Sequence, residues 1–416
     1  MPASTPLQPL GIALFIVAYL LVSLRRLGWL GLDRPAGALV GAVLFVATGI
    51  LTPEDALGAV DPATLLLLFA VMGAGAFLAI DGFFESAEAL VLSHVRTPKG
   101  LLAAIVWGAG ALSALVTNDA VCVLGTPFVL RLAKRMEVRP LPLLLALATS
   151  ANTGSVATLV GNPQNMLCAS LGGLAYRDHL VLMLPVALVG LALNHGILRA
   201  SFRRALDRAP IDSPALGERR QVSPRARLSL GVIGLTVIAY TAGTDLPWTA
   251  AAALVVLFLV HRRDAREIWP RIDWSLLVFF AGLFVVVRGL EASGGPTWLF
   301  ARFPLADLGG EGLLGWSRVA ALFLFGANLV SNVPFILVVR EQMATLPDPR
   351  LGWEMLAMAS TFAGNLTLLG SAANVIVAEG ARDEGGFSFL EYLRVGAPVA
   401  LATTAFGVVW LVLVAG

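Results

Sequence analysis

Apolar runs separated by short polar stretches fill this chain, at residues 11–23, 36–50, 64–80, 141–149, 179–198, 228–242, 248–260, 275–287, 355–363 and 395–414. With flanking turns to reach the roughly 20 residues a bilayer requires, they predict about ten crossings. Two further apolar stretches are broken near their middles, 101–133 at Thr117, Asn118 and Asp119, and 313–339 at Ser331, Asn332, Val333 and Pro334. Basic residues at both ends of the first put its ends on one side of the membrane and its polar triplet at the tip, which predicts a re-entrant hairpin. Between the third run and each hairpin lies an amphipathic segment, 81–96 and 291–308, that reads as a surface helix.

The stretch 150–165, SANTGSVATLVGNPQN, follows an apolar helical run yet is crowded with Asn, Thr, Ser, Gly and Pro. A membrane tolerates such a stretch only where the opened backbone is buried in protein or lines a wet cavity. The texture returns at 362–374, FAGNLTLLGSAAN, where Thr158 falls on Thr367, Gly161 on Gly370 and Asn165 on Asn374 at an offset of 209. The hairpin tips align as well, Thr117 and Asn118 on Ser331 and Asn332 at an offset of 214. Paired interrupted helices in two halves point to the binding site of a secondary transporter.

These patterns predict an all-α polytopic membrane protein built from two repeats of about five transmembrane helices, inverted because five is odd. The expected boundaries are a first repeat over 1–198, with its hairpin at about 100–135 and broken helix at about 140–172. A cytoplasmic linker over 199–227 leads to a second repeat over 228–416, with its hairpin at about 312–345 and broken helix at about 352–382. Lys and Arg accumulate in cytoplasmic loops, and placing both termini outside puts 23 of the 29 basic residues on the cytoplasmic side. With no Lys or Arg before Arg25, the first run reads as a retained span rather than a signal peptide.

Composition agrees: 57% of residues are hydrophobic, 13% are charged and the mean hydropathy is +0.82, outside the range of a soluble domain. The net charge of +2 comes with no basic patch interleaved with aromatics, so nucleic acid is not an expected partner. Cys122 and Cys168 have no metal-site spacing and read as small apolar helix residues. No cofactor, metal site or catalytic constellation is expected, and the chain does not read as an enzyme.

The candidate ligands of a solute and its coupling ion are Thr117, Asn118, Asn152, Thr158, Asn162, Asn165, Ser331, Asn332, Asn365, Thr367 and Asn374, with Gly161 and Gly370 at the breaks. Ser, Thr and Asn also glue membrane helices together, but duplication of the whole pattern points to a site. Asp119 stands apart, because an acid at membrane depth is costly when charged and is therefore paired, protonated or part of an ion path. It is the candidate proton carrier, with Val333 in its place in the second half. The competing reading makes it a cap on the second arm of the hairpin.

The motifs TNDAVCVLGTP at Thr117, SANTGSVATLVGNPQN at Ser150, SNVPF at Ser331 and AGNLTLLGSAAN at Ala363 resemble the ion transporter superfamily. That group contains arsenite permeases, sodium/proton antiporters and divalent anion/sodium symporters. In the symporters each hairpin carries Ser-Asn-Thr, and both triplets here differ at the third position. The Asn118-Asp119 pair and the Ala363 motif resemble the arsenite permease branch more closely. The resemblance implies a scaffold with a mobile, elevator-type transport domain, a homodimer in a prokaryotic inner membrane, and proton-coupled efflux of arsenite or antimonite. The open alternatives are a sodium/proton antiporter, or a sodium- or proton-coupled transporter of dicarboxylates or inorganic anions.

Overall fold

A computed structural model describes residues 8–23, 32–207, 222–308 and 312–416. Most of the expected linker, 208–221, and the basic residues Arg25, Arg26, Arg208, Arg219 and Arg220 lie outside the described residues.

The described residues form helices and no strand. The first ten are α1 (Gln8–Ser23), α2 (Arg34–Ala47), α3 (Pro53–Gly58), α4 (Pro62–Ile80), α5 (Phe83–His94), α6 (Pro98–Leu115), α7 (Asn118–Arg135), α8 (Leu141–Ser155), α9 (Pro163–Gly172) and α10 (Tyr176–Ser201). After the short α11 (Arg203–Leu206) come α12 (Pro224–Thr241), α13 (Leu246–His261), α14 (Ala265–Ile268), α15 (Trp274–Ala292), α16 (Gly295–Arg302), α17 (Leu305–Leu308), α18 (Gly312–Val330), α19 (Asn332–Val339), α20 (Pro349–Leu366), α21 (Ala372–Gly380) and α22 (Phe389–Ala415). The acids that open the third run of each half are caps: Asp61 accepts from the first turn of α4, and Asp273 accepts from Leu276 in α15. Each satisfies backbone N–H groups that a helix start leaves without partners.

Packing divides the helices into two groups. In one, α2 lies along α15 and α13 along α4, with α1 and α12 at the sides. In the other, α6 packs on α8 and α18 on α20, while α10 meets α22 and α8 meets α20. Exchanging the halves turns the α2–α15 contact into α13–α4 and α6–α8 into α18–α20, and leaves α10–α22 and α8–α20 as they are. Close approach in the second group depends on small residues, since a Cβ on Gly154 of α8 would stand 2.2 Å from the Gly110 carbonyl oxygen of α6. Large apolar side chains stay exposed on the outer helices, Leu235 at 66%, Leu259 at 70% and Leu413 at 76%. An outer surface of this kind is built for lipid rather than water.

Among the described residues six helices are long and apolar enough to cross a membrane, α4, α6, α10, α15, α18 and α22, with a seventh if α13 and residues 265–271 form one bent span. The expectation from sequence is about ten crossings, so the others have to be made by shorter or broken helices. α1 and α2 are apolar but shorter, and α8 is only 15 residues long. The apolar runs that lead α8 and α20 give way to polar sequence, which ends or dilutes them before spanning length. Conversely, α6 and α18, read from sequence as hairpin arms, are themselves of spanning length.

Ion pairs tie helix ends together at one end of the molecule. Arg131 and Arg135 at the end of α7 both reach Glu88 of α5, and Lys99 at the start of α6 pairs with Asp207. Buried Asp81 after α4 takes Ser229 of α12, His261 at the end of α13 and Arg263 just beyond it. At the α10 start, Asp178 instead pairs with Arg350 of α20.

Candidate transport site

The helix α8 stops at Ser155, and non-helical backbone runs to Asn162, which caps α9 by accepting from the Asn165 N–H. In the other half α20 stops at Leu366, a 3-10 turn covers Leu368–Gly370, and Ser371 caps α21. The hairpin turns lie against these breaks. Asn118 donates its backbone N–H to the Gly161 carbonyl at 2.9 Å, and the Asn332 side chain donates to the Gly370 carbonyl at 3.4 Å. A Cβ on Gly161 would stand 2.3 Å from the Ser155 carbonyl oxygen, so only glycine fits the turn.

Equivalent residues make equivalent bonds. Asn165 donates to the carbonyls of Ser155 and Thr158, and Asn374 donates to those of Gly364 and Thr367. Thr158 donates to the Ala114 carbonyl, while Thr367 pairs with the Asn328 side chain. Across the halves, Asn152 donates to Asn374 Oδ1 and Thr361 donates to Asn165 Oδ1. Asn152 also donates to Asn365 and accepts from Asn118 and Ser371, while Asn162 donates to Ser155 and Thr361. Asn365 completes the mesh by donating to Thr153 and the Thr149 carbonyl.

A cavity of about 60 Å³ sits between the two tips. At ~10–15 Å³ per water on this measure, it holds a solute of a few heavy atoms. Of the predicted residues, Asn118, Asp119, Ser331, Asn332 and Gly370 line it. Thr117, Asn152, Thr158, Gly161, Asn162, Asn165, Asn365, Thr367 and Asn374 do not; they make the mesh, with Thr117 capping α7. Sequence reasoning missed Arg34, Gln164 and Ser371, which also line the cavity, and Thr361 and Asn328 in the mesh. The offset of 209 pairs Asn152 with Thr361 and Asn162 with Ser371, a signal that a search for repeated Asn passes over.

Two features set the chemistry of the cavity. The N-terminal ends of α7, α9, α19 and α21 converge on it, through Asn118 and Asp119, Pro163 and Gln164, Asn332 and Val333, and Ser371 and Ala372. Helix N-termini favour negative charge or solute oxygens. Against this, the side-chain oxygens of Asn118 and Asn332 are buried with no hydrogen-bond partner, and they call for donors. On its lining fixed charge is balanced, with the carboxyl of Asp119 and the guanidinium of Arg34. Because Thr117 holds the cap position of α7, Asp119 is free of the capping role considered for it. Ser331 stands at φ 70° and ψ 145°, a conformation costly for any residue but glycine, on the order of 1–3 kcal/mol. Such strain is characteristic of functional turns.

A bundle of apolar helices around a small polar cavity, closed by two broken helices and two turns, defines a polytopic membrane transporter rather than an enzyme. The sequence profile described as CitMHS, citrate transporter, matches residues 18–363, and the chain belongs to that family, within the ion transporter superfamily. It is 31% identical to the silicon efflux transporter LSI3 of Oryza sativa subsp. japonica, over 98% of each chain. It is 24% identical to the putative transporter arsB of Dictyostelium discoideum, over 92% of this chain and 88% of that one. A 46 kDa membrane protein of Mycobacterium leprae is 28% identical over 97% of both.

Proposed function

We propose that the protein is a proton-coupled secondary active transporter that exports arsenite or antimonite. The observation that carries this reading is the meeting, in one small cavity, of four helix N-termini with the unpartnered amide oxygens of Asn118 and Asn332. A bare cation would face four positive helix ends, and an anion without hydrogens would leave the amide oxygens unpaired. A neutral hydroxylated acid donates to the amide oxygens and offers its own oxygens to the helix ends. Arsenite, a neutral trihydroxide at neutral pH, is such a solute, and the balance of Arg34 by Asp119 suits an uncharged cargo. Silicic acid, a neutral tetrahydroxide, has the same donors and acceptors, and the likeness to a silicon efflux transporter makes it the second solute to test.

In this reading Asp119 binds and releases the driving proton, and the two halves are inverted repeats whose hairpins and broken helices move against the α2–α15 and α4–α13 scaffold. The protein works as a homodimer in the inner membrane of a prokaryote, with both termini outside. The swapped contacts of the two halves support the inverted repeat, and the distribution of basic residues supports the orientation of the termini.

Uptake into proteoliposomes of arsenite, silicic acid, sodium and citrate, each with and without a proton gradient, tests the reading. Gradient-driven movement of a hydroxylated metalloid acid is the expected result. Movement of sodium or citrate alone would replace it.

A further inference from the structure

At an offset of 212, Asp33, Arg34 and Pro35 at the start of α2 fall on Asp245, Leu246 and Pro247 at the start of α13. Asp33 and Asp245 each cap their helix by accepting from the N–H three residues on, so the correspondence holds in the structure. The same offset carries Asp61, the cap of α4, onto Asp273, the cap of α15. Since α2 packs along α15 and α13 along α4, the scaffold presents one wall twice.

Both walls line cavities. Arg34, Leu276 and Phe279 line the small cavity between the tips. Their counterparts Leu246, Thr64 and Leu67 line another of about 410 Å³. Asn118 and Asn332 line the first cavity and not the second, so the tips stand at the α2–α15 wall. The two walls differ in charge, because Leu246 stands where the first has Arg34. The tips differ likewise, with Asp119 in one half and Val333 in the other. Of the residues lining the small cavity, Asp119 and Arg34 are the charged ones, the first on the hairpin arm α7 and the second on the scaffold helix α2. Further ionisable groups in electrostatic reach of the two are Cys122 on α7, Asp273 at the α15 cap, Glu379 on α21 and Tyr19 on α1.

We propose that Arg34 is a one-sided counter-charge: it holds the Asp119 carboxylate ionised while the tips stand at the α2–α15 wall, and Leu246 leaves that carboxylate unbalanced when they stand at the α13–α4 wall. The inference rests on the transport reading above and gives its coupling a rule. A carboxylate in an apolar setting is costly unless it is paired or hydrogen-bonded. With the site empty, Asp119 therefore leaves Arg34 only after taking a proton from water. With a hydroxylated solute bound, the O–H groups of the solute donate to the carboxylate, and it crosses ionised. At the α13–α4 wall the solute departs, Asp119 takes a proton from the water there, and the empty site returns to Arg34. There the proton is released to the water on that side. One proton moves one way for each solute molecule that moves the other way. With both termini outside, Arg34 lies on the cytoplasmic side, so the proton enters as the solute leaves.

The test uses the full chain in vesicles of one orientation, with labelled arsenious acid and, in parallel, silicic acid as probes and the pH set separately on each face. Arg34→Leu gives the first wall the residue of the second. It should need a pH higher by at least about one unit on the Arg34 face for half-maximal accumulation, with the response to the other face unchanged. Arg34→Lys keeps a charge and should stay close to native. Helix α2 keeps its start in both, because Asp33 is its cap, and rates are read per folded protein. In Arg34→Leu/Asp119→Asn, exchange should be independent of pH on either face, as in Asp119→Asn alone. No shift in Arg34→Leu, an equal shift on both faces, or a shift that persists beside Asp119→Asn would each overturn the proposal, while gradient-driven transport by the native protein would still uphold the reading it rests on. Accumulation of neither probe by the native protein under a proton gradient would sink that reading and this inference with it.

Discussion

Asn152 donates its side-chain amide to Oδ1 of Asn374 at 2.9 Å, and by that bond the break after α8 is fastened to the break after α20. The counterpart bond runs from Thr361 to Asn165 at 3.0 Å, so the two halves are stitched twice by residues that exchange roles. A polar mesh this complete specifies one geometry, because each member is satisfied only when all are in place.

Asn152→Ala should therefore act on stability before it acts on solute. The change removes four side-chain bonds, to Asn118, Asn365, Ser371 and Asn374. At ~0.6 kcal/mol for an average interhelical bond and up to ~1.7 for the strongest, the cost is about 2–4 kcal/mol. The measurement is thermal melting in detergent, with a clear drop expected for Asn152→Ala and a lesser one for Asn152→Ser. A native melting temperature for the alanine variant would show that the mesh does not hold the breaks together.

The tips should respond in the opposite way. Asn118→Ala and Asn332→Ala each remove an amide oxygen that has no partner within the protein. At about 0.5–1.5 kcal/mol per hydrogen bond, each should weaken solute binding about 2- to 10-fold. Each variant also gives up one donated bond, Asn118 to Asn152 or Asn332 to the Gly370 carbonyl, so folded abundance should fall by less than in Asn152→Ala, and counterflow in proteoliposomes read per folded protein checks the loss of binding. Equal solute affinity in both variants would remove the amide oxygens from the site.

Sequence texture exposed the breaks because Gly, Pro and Asn interrupt helices wherever they cluster. The constant offset then matched Thr158, Gly161 and Asn165 to their counterparts, and their bonds do correspond. What the chain could not announce was the division of labour, since an asparagine in the mesh and one facing the cavity are the same letter. Arg34 reaches the cavity from α2, a helix of the other group, and nothing in its own surroundings marks it. Helix length was hidden for a related reason: the apolar runs at 141–149 and 355–363 lead into polar continuations of the same helices, so the runs alone do not show where those helices end.

The pair formed by His179 and Glu354 belongs to no repeated motif, yet Nδ1 stands 2.6 Å from Oε2 with both side chains at most 1% exposed. The imidazole Nε2 lies 3.1 Å from the Val156 carbonyl, which can only accept, so Nε2 carries a hydrogen. The short contact to Glu354 then holds one further proton, on either partner. Removing one member leaves the other buried and unpaired, at a cost of about 3–5 kcal/mol. His179→Ala and Glu354→Ala should each be strongly destabilising, and the double variant should lose well under the sum. Glu354→Gln, able to donate to Nδ1, should recover most of the loss. Additive losses in denaturation of the four proteins would show that the two side chains are not coupled.

The last prediction concerns coupling and rests on Asp119, which lines the cavity together with Arg34. Asp119→Asn keeps the shape and one side-chain oxygen but removes the group that can gain and lose a proton. Helix α7 keeps its start, because Thr117 accepts from the Ala120 N–H as its cap. The variant should bind solute and exchange it between compartments, yet fail to drive it against its gradient. Linkage makes a second demand: a proton and a solute that bias each other do so reciprocally, so native solute binding should vary with pH and the variant's should not. The deciding measurement is proton-driven accumulation in vesicles of defined orientation, read beside counterflow in the same vesicles. Native accumulation by Asp119→Asn would exclude this carboxyl as the carrier, whereas loss of counterflow as well would make it a ligand of the solute rather than of the proton.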